Sequence, residues 1–197
     1  MRKLTVDDIV DMRAYERERA DFRAHIIELK KTRRVALGPI LTILFENTET
    51  MRWQVQEMSR AERMLRDEQI AHEVETYNEL IPDAGELSGT LFLELTSDAQ
   101  LREWLPKLVG IEFNVGFELP DGSRVVGRPS DEDEQRLTRP DTTAAVHYLR
   151  FHFTPEQVTA FEKGPVKLAV DHSEYTHEVT LDDTHHAALV PDLTDLT

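Results

Sequence analysis

The sequence predicts an α+β protein: N-terminal helices packed with a mixed, mainly antiparallel sheet built from two strand-helix-strand repeats, in a ferredoxin-like or split βαβ arrangement. Two observations predict this class. Apolar residues recur at helical spacing in the first 80 residues and at alternate positions in short runs after them. In addition, one strand-helix-strand pattern occurs twice in the second half. A chain of 197 residues is long enough to form one compact domain with a sizeable core.

The first predicted element is an amphipathic helix over residues 14–32. Thr5 and Asp8 precede it with the spacing of a capping box. The basic run at residues 30–34 falls at its end, where cations interact favourably with the helix dipole. We therefore interpret this run as a helix end.

A short β segment and a second helix complete the N-terminal region, residues 1–82. Residues 35–46 are rich in branched apolar side chains, but Gly38-Pro39 interrupts them, which predicts a hairpin or a bent edge strand. A long helix is then expected over residues 50–74. Glu62 lies in the middle of the apolar stripe of this helix.

The repeats occupy residues 83–181. In each copy, alternating apolar residues are followed by an N-cap residue, a helix, a glycine and a second alternating run. The two copies coincide when Thr96 is aligned with Thr154, and the second helix is four residues shorter, close to one turn. Both connections are long enough to join parallel strands.

Three connecting or terminal segments remain. The sequence at residues 119–123 contains Pro-Asp-Gly and predicts a hairpin to Val125-Val126. Residues 129–141 contain four consecutive acidic residues and are predicted to form a solvated loop. Residues 182–197 are predicted to be an acidic tail with about one helical turn before Pro191.

Composition excludes several classes of function. The net charge is −15, most of it carried by residues 81–197, and such a surface repels nucleic acid. There is no cysteine, which excludes disulfides and thiolate metal sites. The start has no secretory signal pattern, and no apolar run is long enough for a membrane span. A cytoplasmic protein without a membrane or nucleic acid partner is expected.

The familiar catalytic motifs are absent, so histidines provide the first candidate site. His147, Asp171, His172 and His177 belong to a histidine-rich segment in which a predicted hairpin brings some side chains together. Neutral imidazoles with one carboxylate would suit a divalent metal ion. The alternative is that these histidines are exposed or hydrogen-bonded and have a structural role only.

The second helix provides the other candidate metal ligands. Glu57, Glu62, Glu68 and His72 lie on it, but the Glu-His spacing is one residue wider than in di-iron carboxylate bundles. A buried Glu62 would need a partner. The alternative to a metal is an ion pair of Glu62 with an arginine of the first helix: Arg13, Arg17, Arg19 or Arg23.

Three segments carry a resemblance to a known family. They are Phe45-Glu46-Asn47 with the block Met51–Glu62, Tyr77–Pro82, and the later phrases Phe153–Gln157 and Val170–His172. Together they resemble a bacterial family known only as a domain of unknown function, over nearly the whole chain. The resemblance implies no activity, substrate or cofactor. It implies only a link to redox or oxidative-stress enzymes. The reason is that genes of this family resemble genes that lie next to rubrerythrin-like and iron–sulfur reductase-like genes.

These observations favour a non-catalytic accessory or interaction protein that binds a protein partner or associates with itself, as in a homodimer. One alternative is a metal-binding protein or metal-dependent enzyme, and another is a small-anion-binding protein that uses Arg52 and Arg60. Whether the chain is an enzyme stays open at this point. The candidate ligand-binding residues are the polar members of the helix block: Asn47, Arg52, Gln54, Glu57, Arg60 and Glu62.

Overall fold

The computed structural model describes residues 1–129 and 141–194, which contain six α-helices and eight β-strands. The helices are α1 (Met12–Lys31), α2 (Thr48–Ala61), α3 (Asp67–Asn78), α4 (Asp98–Lys107), α5 (Pro155–Lys163) and α6 (Asp183–Thr194). The strands are β1 (Arg34–Ala36), β2 (Leu41–Phe45), β3 (Glu86–Leu93), β4 (Val115–Glu118), β5 (Arg124–Val126), β6 (Val146–His152), β7 (Lys167–His172) and β8 (Tyr175–Thr180). Most of the predicted acidic loop and the last three residues of the predicted tail lie outside the described residues.

The strands form two antiparallel four-stranded sheets, ordered β1-β2-β3-β6 and β5-β4-β7-β8. A bridge between Arg128 and Arg150 joins the sheets at one side. At the other side, the Tyr175 hydroxyl of β8 donates to the Leu37 carbonyl in the β1–β2 turn, at 2.7 Å. The two inner faces share one apolar core, in which Phe45, Phe117 and Phe151 contact one another.

The α+β class and the strand-helix-strand units are confirmed, but their arrangement differs from a ferredoxin-like sheet. Each unit starts in one sheet and ends in the other: β3-α4-β4 and β6-α5-β7. β3 pairs with β6 and β4 with β7, always antiparallel. The first strands of the two units thus pair antiparallel with each other, and so do the last strands. A two-fold axis between the units produces this pattern. The spacing could not decide this, because a connection of that length reaches either a parallel neighbour or a second layer.

The first helix and the hairpin at residues 35–46 are confirmed, with adjusted ends. Thr5 and Asp8 do form a capping box, but the helix that starts there is a 3-10 helix at Val6–Asp8. The N-cap of α1 is Asp11, whose carboxylate accepts hydrogen bonds from two main-chain N–H groups of the first turn. In the hairpin turn, Gly38 has a φ of 77°, which favours glycine.

The prediction of one continuous second helix is wrong. α2 ends at Ala61 and α3 begins at Asp67, and between them Arg63 has a φ of 53°. Glu62 is therefore an exposed residue at the end of α2 rather than part of a buried stripe. No ion pair of Glu62 is found within residues 1–129 and 141–194, and the Arg19 guanidinium binds Glu57 instead.

The prediction of an acidic tail with about one helical turn is also wrong for the residues that the structure describes, because the helix is longer and partly buried. Residues 183–194 form α6, in which Leu189, Asp192 and Leu193 are buried. Asp192 accepts an ion-paired hydrogen bond from Arg33, whose side chain is only 3% exposed. The basic run after α1 thus has a second role, because Arg33 points inward and holds α6 against the fold.

The N-terminal helices have a smaller apolar cluster of their own. It contains Leu4, Ile9, Met51, Val55, Val74 and Ile81. This cluster fixes the segment before α1 against α2 and α3, and so positions the site described next. Among the described helices, none combines the length and apolar character needed to cross a bilayer.

Candidate functional site

The candidate site is a cleft of about 340 Å³ between the segment before α1 and the helices α2 and α3. We call it the helical cleft. Its volume lies within the range typical of small-ligand sites. Its apolar lining consists of Val6, Ile9, Val10, Met12, Met64, Leu65 and Ile70. Its polar lining consists of Asp7, Asp11, Gln56, Ser59, Arg60 and Asp67.

The break between α2 and α3 creates one wall of the cleft. Because the chain leaves the α2 axis at Arg63, Met64 is buried beside the cleft while Leu65 projects outward. Leu65 is 79% exposed, the larger value of the two exposed large apolar side chains in the described residues. A second concavity, formed with α1, shares Asp11, Met12 and Leu65 with the cleft. Its other lining residues are charged: Arg13, Glu16 and Arg17.

Gln56 holds the opposite wall in place. Its side-chain oxygen accepts from the Val10 N–H at 3.1 Å, and its side-chain nitrogen donates to the Val10 carbonyl at 2.8 Å. These two bonds satisfy the main-chain groups of a non-helical residue and fix the segment before α1 onto α2. The cleft is consequently built on a fixed scaffold.

Some polar side chains of the cleft have a hydrogen-bond or ion-pair partner in the described residues, and others do not. Arg60 donates to Glu16 at 2.5 Å. Asp7 and Asp67 make no ion pair or side-chain hydrogen bond with the part of the chain that the structure describes. Ser59 is 5% exposed, and its Oγ has no hydrogen-bond partner among the described residues. The cleft thus combines apolar side chains with exposed carboxylates.

Behind the cleft, Glu57 forms a network with α1. Its carboxylate accepts two hydrogen bonds from Arg19, both at 2.8 Å, and one from the Tyr15 hydroxyl at 2.5 Å. The hydrogen bonds from Arg19 lower the pKa of Glu57. Burial, followed by the bond to Glu57, raises the pKa of Tyr15. The ionised Glu57 carboxylate thus joins α2 to Tyr15 and Arg19 of α1.

The other members of the predicted block begin with Asn47, Arg52 and Gln54. Asn47 is the N-cap of α2, accepting from the Thr50 N–H at 2.9 Å. The Arg52 Nε donates to the Asp8 carbonyl at 3.0 Å, and its guanidinium lies 5.0 Å from the centre of the Phe22 ring. Gln54 makes a long contact of 3.5 Å with the Tyr77 hydroxyl. Each of these contacts fixes α2 or its neighbours.

The structure does not bring the two predicted anion-binding arginines together. Arg60 lines the helical cleft, whereas Arg52 lines a separate concavity near Asn47. Glu62 lines neither of them. Of the six candidate ligand-binding residues, only Arg60 contributes to the helical cleft.

The predicted histidine group is divided between the sheets. His147 lies in β6, is 2% exposed and contacts the Thr143 hydroxyl at 3.0 Å. His172 lies in β7 and its Nε2 contacts the Val109 carbonyl at 3.1 Å. His177 packs on the Tyr175 ring, and Asp171 is exposed.

The candidate ligands on α3 are Glu68 and His72, which are both exposed. Within the residues that the structure describes, no group of three or more His, Asp or Glu side chains is placed to hold a metal ion.

Sequence reasoning did not single out Ser59, and it placed Leu65 on the apolar stripe of one continuous helix, whereas Leu65 is 79% exposed. Ser59 has no pattern of its own, and the break that exposes Leu65 contains neither Gly nor Pro. One signal was present. Asp67-Glu68 is an acidic pair of the kind that favours the first turn of a helix, and it marks the start of α3.

Comparisons with known proteins give a family but no activity. The model of a family described as "Protein of unknown function (DUF3501)" matches residues 3–193. The crystal structure of a novel protein of unknown function from Burkholderia pseudomallei K96243 is 32% identical to this chain, with a TM-score of 0.89. The match covers 98% of this chain and 100% of that one. Nothing among the curated proteins matches.

Proposed function

This chain belongs to the DUF3501 family of proteins of unknown function, and from that premise we propose that it is a non-catalytic interaction protein that binds a segment of a partner protein in the helical cleft. The observation that carries the proposal is the exposed side chain of Leu65 at a cleft that is lined in part by apolar side chains. An exposed apolar surface that continues into a cleft is typical of protein-binding sites.

Charge indicates the chemistry of the partner. Asp7, Asp11 and Asp67 line the cleft together with its apolar side chains. Arg60 is the one basic residue that lines the cleft, and Glu16 already binds it. A partner segment with an apolar side chain next to Lys or Arg would therefore complement the site in both shape and charge.

Selection from a random peptide library displayed on phage tests this proposal. The wild-type protein should enrich peptides that combine an apolar residue with an adjacent Lys or Arg. A synthetic peptide of the enriched sequence should bind Leu65→Gln about tenfold more weakly, since a buried leucine contributes about 1.5–3 kcal/mol. Binding should also weaken with added salt, because the rim is exposed.

Ile27 provides the matched control, because it is the other exposed large apolar side chain and lies on α1, outside the cleft lining. Ile27→Gln should bind the same peptide within about twofold of wild type, a difference smaller than 0.5 kcal/mol. Equal losses for both variants, or no enrichment, would contradict the proposal. So would a wild-type dimer that Leu65→Gln converts to monomer in sedimentation velocity, since a second copy would then occupy the cleft.

A link to redox or oxidative-stress enzymes, implied by the family resemblance, stays a prediction about which partner supplies the segment. It can be tested with the selected sequence. If that motif occurs on an exposed segment of such an enzyme from the same host, purified enzyme and this protein should bind each other, and the synthetic peptide should compete.

A further inference from the structure

The helical cleft adjoins a concavity of different charge. This second concavity is lined by Arg13, Glu16 and Arg17, in addition to the three residues that it shares with the cleft. We call it the α1 concavity. Leu65 is one of the shared residues and is 79% exposed, so a segment that packs on Leu65 lies at the boundary of both concavities.

Two arginines of the α1 concavity have no ionic partner among the described residues. Glu16 is bonded to Arg60, and the Asp11 carboxylate caps the start of α1 through two main-chain N–H groups. Arg13 and Arg17, by contrast, make no ion pair or side-chain hydrogen bond with the described part of the chain. Both are exposed, and they lie one helical turn apart on the same face of α1. The α1 concavity therefore attracts a negative group.

The charges have the opposite sign in the helical cleft. Asp7 and Asp67 line the cleft but not the α1 concavity, and both are exposed. Neither makes an ion pair within residues 1–129 and 141–194. The surface around Leu65 thus changes from negative in the cleft to positive along α1, which favours a ligand that carries both signs of charge.

We propose that the partner segment has opposite charges on the two sides of its apolar anchor: Lys or Arg toward the cleft, and Asp or Glu toward the α1 concavity. The inference rests on the proposed function, which needs only the basic group. It adds an acidic group, and it fixes the orientation of the segment across Leu65. A segment with basic groups on both sides would place one of them against two arginines, and this repulsion excludes it.

Two synthetic peptides provide the test. The first has the sequence that phage selection enriches, and in the second its acidic residue is replaced by Lys. In fluorescence polarisation, wild type should bind the second peptide at least about threefold more weakly, the size expected for an exposed ion pair. Arg17→Glu should bind the two peptides within about 1.5-fold of each other. Asp7→Lys should weaken the binding of both alike, because both peptides keep the basic residue.

Arg23 provides the matched control. It is exposed, lies on α1, has no ion pair among the described residues and lines neither concavity. Arg23→Glu changes the net charge by the same amount as Arg17→Glu, so it measures the general effect of charge. It should keep the wild-type preference for the first peptide. Both arginines are exposed, so both variants should fold.

Three results would overturn the inference. Enriched peptides that need Leu65 but contain no acidic residue would contradict it while the proposed function stood. Equal effects of Arg17→Glu and Arg23→Glu would show that only net charge matters. A preference that Asp7→Lys abolishes as fully as Arg17→Glu would show that the segment has no fixed orientation. Enriched peptides that do not need Leu65 would overturn the proposed function and this inference together.

Discussion

The ion pair between Arg33 and Asp192 should make the C-terminal helix α6 essential for stability. The two side chains are 3% and 7% exposed. Arg33 also donates to the main-chain carbonyls of Phe45, Ala188 and Glu46, at 2.8, 3.1 and 3.2 Å. Asp192→Leu removes the negative partner and leaves the guanidinium buried with carbonyl oxygens only. Breaking a buried pair in this way costs about 3–5 kcal/mol.

The expected effect is large enough to measure by two methods. The free energy of unfolding, from urea titrations followed by circular dichroism, should fall by about 3–5 kcal/mol. The melting temperature should fall by roughly 6–20 °C, since each kcal/mol shifts a chain of this size by about 2–4 °C. The double variant Arg33→Met/Asp192→Leu removes both charges and should recover most of the loss, because apolar replacements of a buried pair are often neutral.

Two results would refute this reasoning. A loss below about 1 kcal/mol in Asp192→Leu would show that the carboxylate is not needed to compensate the Arg33 charge. A double variant as unstable as the single one would show that packing or the carbonyl bonds, and not the unpaired charge, cause the loss.

Two further predictions concern acidity and backbone geometry. Arg19 lowers the pKa of Glu57 below its usual 4.5, so the ionised carboxylate stabilises the fold above that pH, and this contribution disappears as the pH falls through the lowered pKa. Glu57→Gln should therefore lower the free energy of unfolding by about 1–2 kcal/mol at about pH 7 and by much less at about pH 3. An equal loss at both pH values in urea titrations would contradict this prediction. Gly38→Ala would place a Cβ 2.5 Å from the Tyr175 hydroxyl at a φ of 77°, whereas the control Gly122→Ala has a similar φ of 84° with no atom within 4 Å of the new Cβ. In thermal melts, the loss of stability in Gly38→Ala should exceed that of the control by about 1–3 kcal/mol. Equal losses would show that backbone strain alone accounts for the effect.

Local patterns predicted the elements whose stability is local. α1 and the hairpin at residues 35–46 follow from helical spacing and from a glycine turn, and the two repeats follow from alternation and caps. Which strands pair is not a local property, so two sheets could not be distinguished from one. α6 was missed because its burial depends on Arg33, which is distant in sequence and belongs to a run of basic residues. The sequence does not indicate that a polar residue such as Asp192 is buried with a charged partner.

The candidate site was predictable only in part. Glu57 was selected from the helix block, and the structure shows it in a network of three hydrogen bonds with α1. The arginine partner on α1 was offered to Glu62 instead, because a continuous helix over residues 50–74 placed Glu62 in its apolar stripe, whereas Arg19 binds Glu57. The helical cleft itself depends on the left-handed conformation at Arg63, which no residue type in that segment requires. Ser59 could be recognised only after that geometry was known.

The pairing of β3 with β6 and of β4 with β7 constrains how the chain can be synthesised and folded. When a ribosome has completed the first strand-helix-strand unit, β3 and β4 still lack these neighbours, and their unpaired edges can bind other chains. The second unit supplies the missing neighbour in each sheet, and β8 then completes the second sheet. Neither repeat should therefore fold as a separate fragment, and fragments that divide the chain between β4 and β6 should regain structure only when both are mixed.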